Sequence, residues 1–234
     1  MTMSRLTLAC LLSIALLSGC SNGGVSRIDG AQYLPVDTSG ETRVALLRGF
    51  GHNEPYKTRN AYKDFENCIR RGLREVKSRA NLVRWEKWSA SEDYAKFDHI
   101  LWLPRQFELT DEARVLISGL DVHYLVKVGV ASSTTRRRPA FHYQSQAFGA
   151  GQSWTETAKM QALIYETASG KLSGELSASL SEAGYWQIMM AWGFIPVPLA
   201  YSPNVERGAC ETLGNALGRY FNGVGNSHIE TYRE

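Results

Sequence analysis

The sequence predicts an α/β (α+β) fold, a single domain in which a mixed β-sheet is covered mainly on one face by long helices. The first observation is the segment 121–130, DVHYLVKVGV, in which apolar residues alternate with others as they do in a strand. The second is that residues 61–78 and 202–223 carry apolar side chains at helical spacing. Such strands and helices bury their apolar sides most simply when the helices lie against a sheet.

The first half of the predicted domain contains two short strands and three helices. Residues 43–50 read RVALLRGF, a short apolar run that is bounded by Gly and predicts a strand. In residues 61–78, apolar side chains recur every three or four residues, and Asn60 is available as the N-cap. Further patterns predict a strand at 82–88, a short helix at 89–97, and a helix at 109–120 that is capped by Thr110.

The second half of the predicted domain contains four strands and a final helix. From Leu172 to Leu180, small or apolar residues alternate with Ser and Glu, which indicates a strand with one solvated face. Ser202 and Pro203 are expected to begin the last helix, and Gly223 is expected to end it. The other strands are predicted at 121–130, 141–148 and 155–167, with Ser169 and Gly170 at the turn after the third.

The charges of this 234-residue chain are mixed along its length, and the formal net charge is +3. The chain therefore shows no broad basic field of the kind that nucleic-acid-binding domains carry. Its one basic cluster is Arg136, Arg137 and Arg138, between two predicted strands. A solvated hairpin end is the simpler interpretation, and contact with anionic lipid headgroups or lipopolysaccharide phosphates is the alternative.

The first 19 residues have the features of a secretory signal peptide. Arg5 precedes an apolar run from Leu6 to Leu17, which is shorter than the about 20 residues that a membrane-spanning helix needs. The run ends in LSGC, which resembles the bacterial lipobox. The resemblance implies that Cys20 becomes the first residue of the mature chain, with two acyl chains on its sulfur and a third on its nitrogen. An ordinary signal peptide followed by a chance cysteine is the alternative.

This interpretation divides the chain into four parts. Residues 1–19 are the signal peptide, 20–40 the lipidated N-terminus with a flexible tether rich in Gly, Ser and Asp, 41–223 the globular domain, and 224–234 a polar tail. Two or more acyl chains hold a protein stably on a membrane. Ser21 follows the lipidated cysteine, and in the lipoprotein sorting pattern this favours the periplasmic face of the outer membrane over the inner membrane.

Two of the four cysteines remain as a pair. Cys10 leaves with the signal peptide and Cys20 carries lipid, so Cys68 and Cys210 are left in an oxidising compartment. Both lie in predicted helices, and a disulfide between them would link the first helix to the last. The alternative is two buried reduced thiols that act as small apolar side chains.

Catalytic and cofactor-binding motifs are absent from the sequence. It contains no G-x-S-x-G elbow, no P-loop, no dinucleotide glycine pattern and no H-E-x-x-H. The five histidines show no metal-ligand spacing, and His123 and His142, both on predicted strands, are interpreted as ordinary polar-face residues. The sequence therefore nominates no catalytic residue, no metal site and no cofactor.

The most apolar run outside the signal peptide is 185–201, YWQIMMAWGFIPVPLAY. Gln187 interrupts it, and Pro196 and Pro198 break any helix through it, so no membrane-spanning helix is expected. We expect the run to leave the last strand and to lead to the final helix. Its large side chains either close the core or form an exposed patch for a partner or a membrane: Trp186, Met189, Met190, Trp192 and Phe194.

Several segments together resemble a broad set of bacterial lipoproteins of poorly defined function. They are the lipobox, the strand GLDVHYLVKVGV, the meander GQSWTETAKMQALIYETASGKLSGE, and the block GFIPVPLAYSPNVERGACETLGNAL. The G-x-x-P-x-P of this block, followed by Cys210, is the most specific part. At the level of the fold, this set is similar to the α/β domain of the TolB amino-terminal region and of curli-secretion-type lipoproteins. A fold does not determine function, and the resemblance transfers only the lipidation of Cys20.

Three functions are compatible with these features. The first is a non-catalytic envelope lipoprotein that binds a partner, such as an envelope assembly, a secretion machine or a cell-wall enzyme. The second is an oligomeric secretion or pore-forming component, since curli-secretion lipoproteins form a pore from hairpins and residues 154–167 and 170–182 form a predicted hairpin. The third is a periplasmic enzyme that acts on glycan or lipid, although no residue nominates itself for it.

Overall fold

A computed structural model of the chain gives the fold. The predicted signal peptide, Cys20 and the helix predicted at 89–97 lie outside the described residues. The described residues are 24–49, 59–83, 108–119, 121–134, 137–144, 147–191, 195–224 and 229–233.

These residues form nine strands and three helices. The strands are β1 (Gly24–Gln32), β2 (Thr42–Gly49), β3 (Ala80–Leu82), β4 (Tyr124–Thr134), β5 (Arg138–Gln144), β6 (Ala147–Glu166), β7 (Leu172–Ala191), β8 (Ile195–Tyr201) and β9 (Ile229–Arg233). The helices are α1 (Arg59–Glu75), α2 (Asp111–Ser118) and α3 (Val205–Phe221).

All nine strands belong to one sheet. Its order is β3-β2-β4-β6-β7-β1-β9, with β5 paired to β6 and β8 paired to β7. The pairs that β2 makes with β3 and β4 are parallel, and the remaining pairs are antiparallel. The first and last described strands, β1 and β9, therefore lie side by side at one end of the sheet.

The β6–β7 hairpin is the longest feature of the sheet, because each of its strands has 20 residues. The two strands pair from Ala147 and Ala191 at the open end to Tyr165 and Leu172 beside the turn, with one irregularity, between Ile164 and Tyr165. Side chains of a strand alternate between its two faces. From the irregularity to the open end, the even-numbered residues of both strands therefore lie on one face of the hairpin.

Helices α1 and α3 cover one face of the sheet over the half of the hairpin near its turn. Gly72 and Gly214 allow the two helices to approach closely, since a Cβ atom on Gly72 would lie 2.5 Å from the carbonyl oxygen of Glu211. On β6, the residues buried beneath the helices extend from Ala158 to Ile164. The helices contribute these buried side chains to the core: Phe65, Ile69, Leu73, Val205, Ala209, Cys210, Leu213, Ala216, Leu217, Tyr220 and Phe221.

Helix α2 packs on the opposite face of the sheet. Thr110 is its N-cap, as predicted, and the Thr110 Oγ1 atom accepts a hydrogen bond from the backbone N–H of Ala113 at 3.3 Å. The second core, beneath α2, consists of Ala45, Leu47, Ala113, Ile117, Val122, Leu125, Leu163, Tyr165 and Leu172.

The predicted fold class, a sheet covered mainly on one face by long helices, is wrong. The sheet dominates the structure, because its two longest strands have 20 residues whereas the longest described helices have 17. Helices also pack on both faces, and the open half of the hairpin extends past the part of the sheet that α1 and α3 bury. The prediction failed because it divided the hairpin into shorter strands and interpreted residues 185–201 as a connection.

Two segments that were expected to be loose are strands. Residues 24–32, assigned to the flexible tether, form β1, which pairs with β7 and buries Ser26 and Ile28. Residues 229–233, assigned to the polar tail, form β9 beside β1. The expectations of a tether and of a loose tail are wrong over these residues, since backbone pairing with neighbouring strands stabilises a strand that has no strong apolar pattern.

The disulfide prediction is confirmed. Cys68 of α1 and Cys210 of α3 lie at disulfide distance, with Cα atoms 6.1 Å apart.

Helix α3 begins at Val205 after the N-cap Asn204, two residues later than predicted, and Gly223 follows its end with φ 74°. Among the helices that the structure describes, none combines the length and apolarity needed to cross a bilayer.

Candidate functional site

The open half of the β6–β7 hairpin forms a four-stranded sheet with β5 and β8 on its two sides. We call it the distal sheet, and it consists of β5, residues 147–153 of β6, residues 185–191 of β7, and β8. Apart from Arg138 at the start of β5, these strands contain no Asp, Glu, Lys or Arg. An uncharged four-stranded surface is unusual in a chain with 21% charged residues, so this part of the fold is the candidate functional site.

One face of the distal sheet continues the face that α1 and α3 cover, and we call it the helix-side face. The register places Phe141, Ala150, Ile188 and Pro198 in one row across the four strands. Phe141 is 73% exposed and Ile188 is 39% exposed. In the next row, Trp186 is 47% exposed. The described side chains of this face are Pro139, Phe141, Ala150, Gln152, Trp186, Ile188, Met190, Pro196, Pro198 and Ala200.

The opposite face of the distal sheet is more closed. Gly149 and Gly151 leave room on β6 for the neighbouring strand, and the Met189 side chain lies where a Cβ atom of Gly149 would be. Met189 is buried as a result, whereas Val197 beside it is exposed. Met189 therefore closes the sheet locally, and the larger exposed apolar surface is the helix-side face.

A cluster of aromatic and charged side chains marks the boundary between the distal sheet and the helix-covered half. The indole of Trp154 donates a hydrogen bond from Nε1 to Glu156 Oε1 at 2.7 Å. The guanidinium carbon of Arg137 lies 5.7 Å from the centre of the Trp154 ring, a cation–π distance. On the neighbouring strand, Tyr201 donates a hydrogen bond from its hydroxyl to Glu182.

The hydrogen bond to Glu182 raises the pKa of Tyr201 to about 12, with smaller contributions from burial and from the Glu182 charge. The ring of Tyr185 packs against that of Tyr201 with centroids 5.9 Å apart. Aromatic rings and charged groups thus meet at one level of the sheet, and only uncharged residues lie beyond it on these strands.

The first described residue of the chain lies at this same boundary. Val25 of β1 pairs with Ser181 of β7, and a Cβ atom on Gly24 would lie 3.8 Å from Glu182 Cγ. Since β1 runs antiparallel to β7, Gly24 is at the end of β1 that is nearest to the distal sheet. Cys20 is four residues away, a separation of at most about 14 Å along an extended backbone.

Two grooves lie elsewhere on the described surface. One, of about 500 Å³, lies beside the disulfide and is lined by Phe65, Arg71 and Arg207 among others. The other, of about 380 Å³, contains the acidic residues Asp37, Glu41 and Glu166, together with His123. In this second groove, the Nδ1 atom of His123 accepts a hydrogen bond from the backbone N–H of Arg43 at 3.1 Å, which holds the ring in place. Within the described ranges, no group of three or more His, Cys, Asp and Glu side chains is arranged to hold a metal ion.

The residues that the sequence predicts as an apolar patch and as a basic cluster do not all lie on one surface of the structure. Within the predicted apolar patch, Trp186 is exposed on the helix-side face, Met190 is partly buried there, and Met189 is buried on the opposite face. Arg137 contacts Trp154, and Arg138 is exposed at the start of β5. The predicted site residues that lie outside the described part of the chain are Cys20, Arg136, Trp192 and Phe194.

Sequence reasoning missed the contribution of the neighbouring strands. Phe141 and Ile188 are exposed on the same face as Trp186, and none of the apolar patterns singled out Phe141. A usable signal was present, because the sequence contains no Asp, Glu, Lys or Arg from 139 to 155 or from 183 to 205. These two intervals contain nearly all of the distal sheet.

Comparisons with known proteins give only distant likenesses. No family model matches the chain, and no curated protein matches it. Among solved structures, it is similar to the PelC dodecamer from Paraburkholderia phytofirmans (7% identity, 85% of this chain and 96% of that chain covered, TM-score 0.33). It is also similar to a putative neuraminyllactose-binding hemagglutinin homolog from Helicobacter pylori (8%, 82% and 88%, 0.35) and to the hypothetical protein CT253 from Chlamydia trachomatis (12%, 79% and 94%, 0.33). These values do not define a family for the chain.

Proposed function

We propose that this chain is a lipid-anchored protein of the periplasmic face of the bacterial outer membrane that acts by binding, as a component of an envelope assembly. The observation that carries the proposal is the exposed apolar face of the distal sheet, on which the side chains of Phe141, Trp186 and Ile188 are exposed. Contiguous exposed apolar surface on a folded domain marks a contact with another surface. The described side chains of this face are apolar apart from Gln152, and such a surface suits binding.

The anchor in this proposal is lipid on Cys20. Its support is the apolar run after Arg5, the small residues before Cys20, and Ser21 after it. Two or more acyl chains would hold the protein on the membrane. Cys20 precedes Gly24 by only four residues, and Gly24 is at the end of β1 nearest to the distal sheet, so an anchor on Cys20 would be held close to that sheet.

Thiol labelling in the envelope tests whether the helix-side face is a contact surface. In Ile188→Cys, the introduced thiol is the reactive one, because the native cysteines of the mature chain are acylated or joined in the disulfide. The matched control is Lys159→Cys, at an exposed position on the polar face of β6. We expect a maleimide reagent to label both positions in the purified protein, but only position 159 in cells with a permeabilised outer membrane. Equal labelling of the two positions in the envelope would refute a contact at this face.

A second candidate, an oligomeric secretion or pore-forming component, is favoured by the length of the β6–β7 hairpin. Its two strands have 20 residues each, longer than the 154–167 and 170–182 hairpin that the sequence predicts. Negative-stain images of the acylated protein in detergent separate the two functions. Closed rings would support the oligomeric component, and single particles of one chain would exclude it.

A further inference from the structure

We propose that the surface that covers the helix-side face is lipid, so that the distal sheet lies in the headgroup and upper acyl region of the membrane to which the protein is anchored. This inference rests on the proposed function and names the partner of its contact surface. Three features of the described residues carry it: the distribution of charge, the boundary of aromatic side chains, and the place where the chain leaves β1.

The absence of charge favours lipid over a protein partner. Protein interfaces orient their partners with a polar rim of hydrogen-bonding and charged groups around an apolar centre. The helix-side face instead carries Pro, Ala, Ile, Phe, Met and Trp, with Gln152 as the polar residue among its described side chains. Such a surface offers acyl chains favourable apolar contact without any charge to bury.

The boundary of the distal sheet has the composition of a membrane interface. Trp and Tyr side chains collect at the level of lipid headgroups, where their rings are apolar and their polar atoms still find partners. Trp154 lies at this level on the helix-side face, and Tyr185 and Tyr201 lie at it on the opposite face. The Trp154 nitrogen and the Tyr201 hydroxyl donate to the carboxylates of Glu156 and Glu182, which lie on the side of the helix-covered half. Arg137 lies over Trp154 at the same level, within reach of anionic phosphate groups.

The lipid anchor would bring this face to the membrane. Gly24 lies at the boundary beside Glu182, and Cys20 is at most about 14 Å from it along the chain. Acyl chains on Cys20 would therefore be held within a short distance of the end of β1 that is nearest to the distal sheet. This proximity favours the bilayer as the surface that covers the helix-side face.

The depth of the contact follows from the edges of the distal sheet. Its outer strands, β5 and β8, each pair with one neighbour among the described strands, and their other backbone edges need water or headgroups as partners. Seven residues of strand also span only about 23 Å, less than the about 30 Å of a hydrocarbon core. The distal sheet consequently lies along the interface and does not cross the bilayer.

Spin labelling in vesicles tests the inference with lipid as the only partner present. Acylated Ile188→Cys and the control Lys159→Cys are labelled with a nitroxide and reconstituted in vesicles of phosphatidylethanolamine and phosphatidylglycerol. We expect molecular oxygen to relax the label at 188 more strongly than a water-soluble nickel complex does, and the reverse at 159. Phe141→Cys, on another strand and 73% exposed, is expected to behave as 188 does.

The outcomes separate lipid from the other occupants. Labels at 141 and 188 that respond to the nickel complex as the label at 159 does would overturn the inference. If those positions were nevertheless protected in the cell envelope, the contact surface would stand and its partner would be a protein. If the labels at 141 and 188 are shielded from the nickel complex only at a high ratio of protein to lipid, a second copy of the chain covers the face instead of the bilayer. A Cys20 peptide without acyl mass would refute the anchor of the proposed function separately.

Discussion

The indole ring of Trp154 lies directly over Gly184 of the neighbouring strand, so that a Cβ atom at position 184 would come within 2.5 Å of both Trp154 Cε2 and Trp154 Nε1. The two residues are cross-strand partners in the β6–β7 ladder. The absence of a side chain at 184 lets the ring lie flat at the base of the distal sheet, where it contacts Arg137 and bonds to Glu156.

Gly184→Ala is expected to displace this ring. The added methyl group overpacks the site, and overpacking of this kind costs about 1–3 kcal/mol in the free energy of unfolding. Urea denaturation measures the cost, and tryptophan fluorescence reports the displaced ring. The control is Gly129→Ala on β4, where a Cβ atom would meet nothing within 4 Å. Equal stability of the two variants would contradict the close contact.

Gly72→Ala is expected to destabilise the packing of α1 on α3. Alanine is favoured over glycine inside a helix by about 1 kcal/mol, yet the new Cβ atom would lie 2.5 Å from the backbone oxygen of Glu211. A backbone atom cannot move aside as a side chain does, so we expect the overpacking cost of about 1–3 kcal/mol to exceed the gain. Thermal unfolding monitored by circular dichroism measures the balance. Lys63→Ala, on the exposed side of the same helix, is the control, and a higher melting temperature for Gly72→Ala would show that the helices can separate freely.

Cys68→Ser is expected to lower the free energy of unfolding. The disulfide with Cys210 closes a loop with a sequence separation of 142, and a loop of this size is worth up to about 5 kcal/mol when the loss of chain entropy is the main effect. Denaturant titration under oxidising conditions gives the difference from the native protein. Cys210 should then react with a thiol reagent after unfolding without reductant. A reductant should leave the stability of the variant unchanged while it lowers that of the native protein.

Glu182→Gln is expected to lower the pKa of Tyr201 toward its ordinary value of 10.0, because the carboxylate that accepts the hydroxyl proton is the main cause of the rise to about 12. The folded state favours the protonated tyrosine. The contribution of the Tyr201–Glu182 hydrogen bond to the stability of the folded state is therefore complete below about pH 10, and it is lost as the pH rises through about 12. Alkaline titration of phenolate absorbance measures this shift, with Tyr201→Phe subtracted to isolate the residue. Identical titration curves for the native chain and Glu182→Gln would contradict the assigned hydrogen bond.

Sequence patterns located the elements with strong local signals. Thr110 as the cap of α2 and the strand predicted at 121–130, which the structure begins at Tyr124, follow from residue type and spacing. The disulfide between Cys68 and Cys210 was predicted from the cysteine count and from the two helices that carry these residues. Strand β1 was missed because two of its three buried residues, Gly24 and Ser26, carry no apolar signal. Its conformation depends on pairing with β7 and β9, which are distant in the sequence.

The distal sheet was harder to predict because its pattern changes along each strand. In β7, small and apolar residues alternate with polar ones up to Ser181, whereas Tyr185 to Ala191 are apolar on both faces apart from Gln187. Pro196 and Pro198 indicate extended backbone, but proline is compatible with a strand only at an edge, and β8 has that position among the described strands. Which apolar residues share a surface depended on the register, and the sequence alone does not give the register.

The pairing of Gly24 with Arg233 brings together residues that are 209 positions apart in the numbering, beside the boundary of the distal sheet. A reporter fused after the last residue would therefore be held close to the distal sheet, where its bulk would compete with the lipid contact that we propose for this sheet. The turn at Ser169 and Gly170 lies at the far end of the hairpin, 20 residues of strand away from the open end. A tag inserted at that turn would leave the native chain ends free and lie at the end of the hairpin away from the distal sheet.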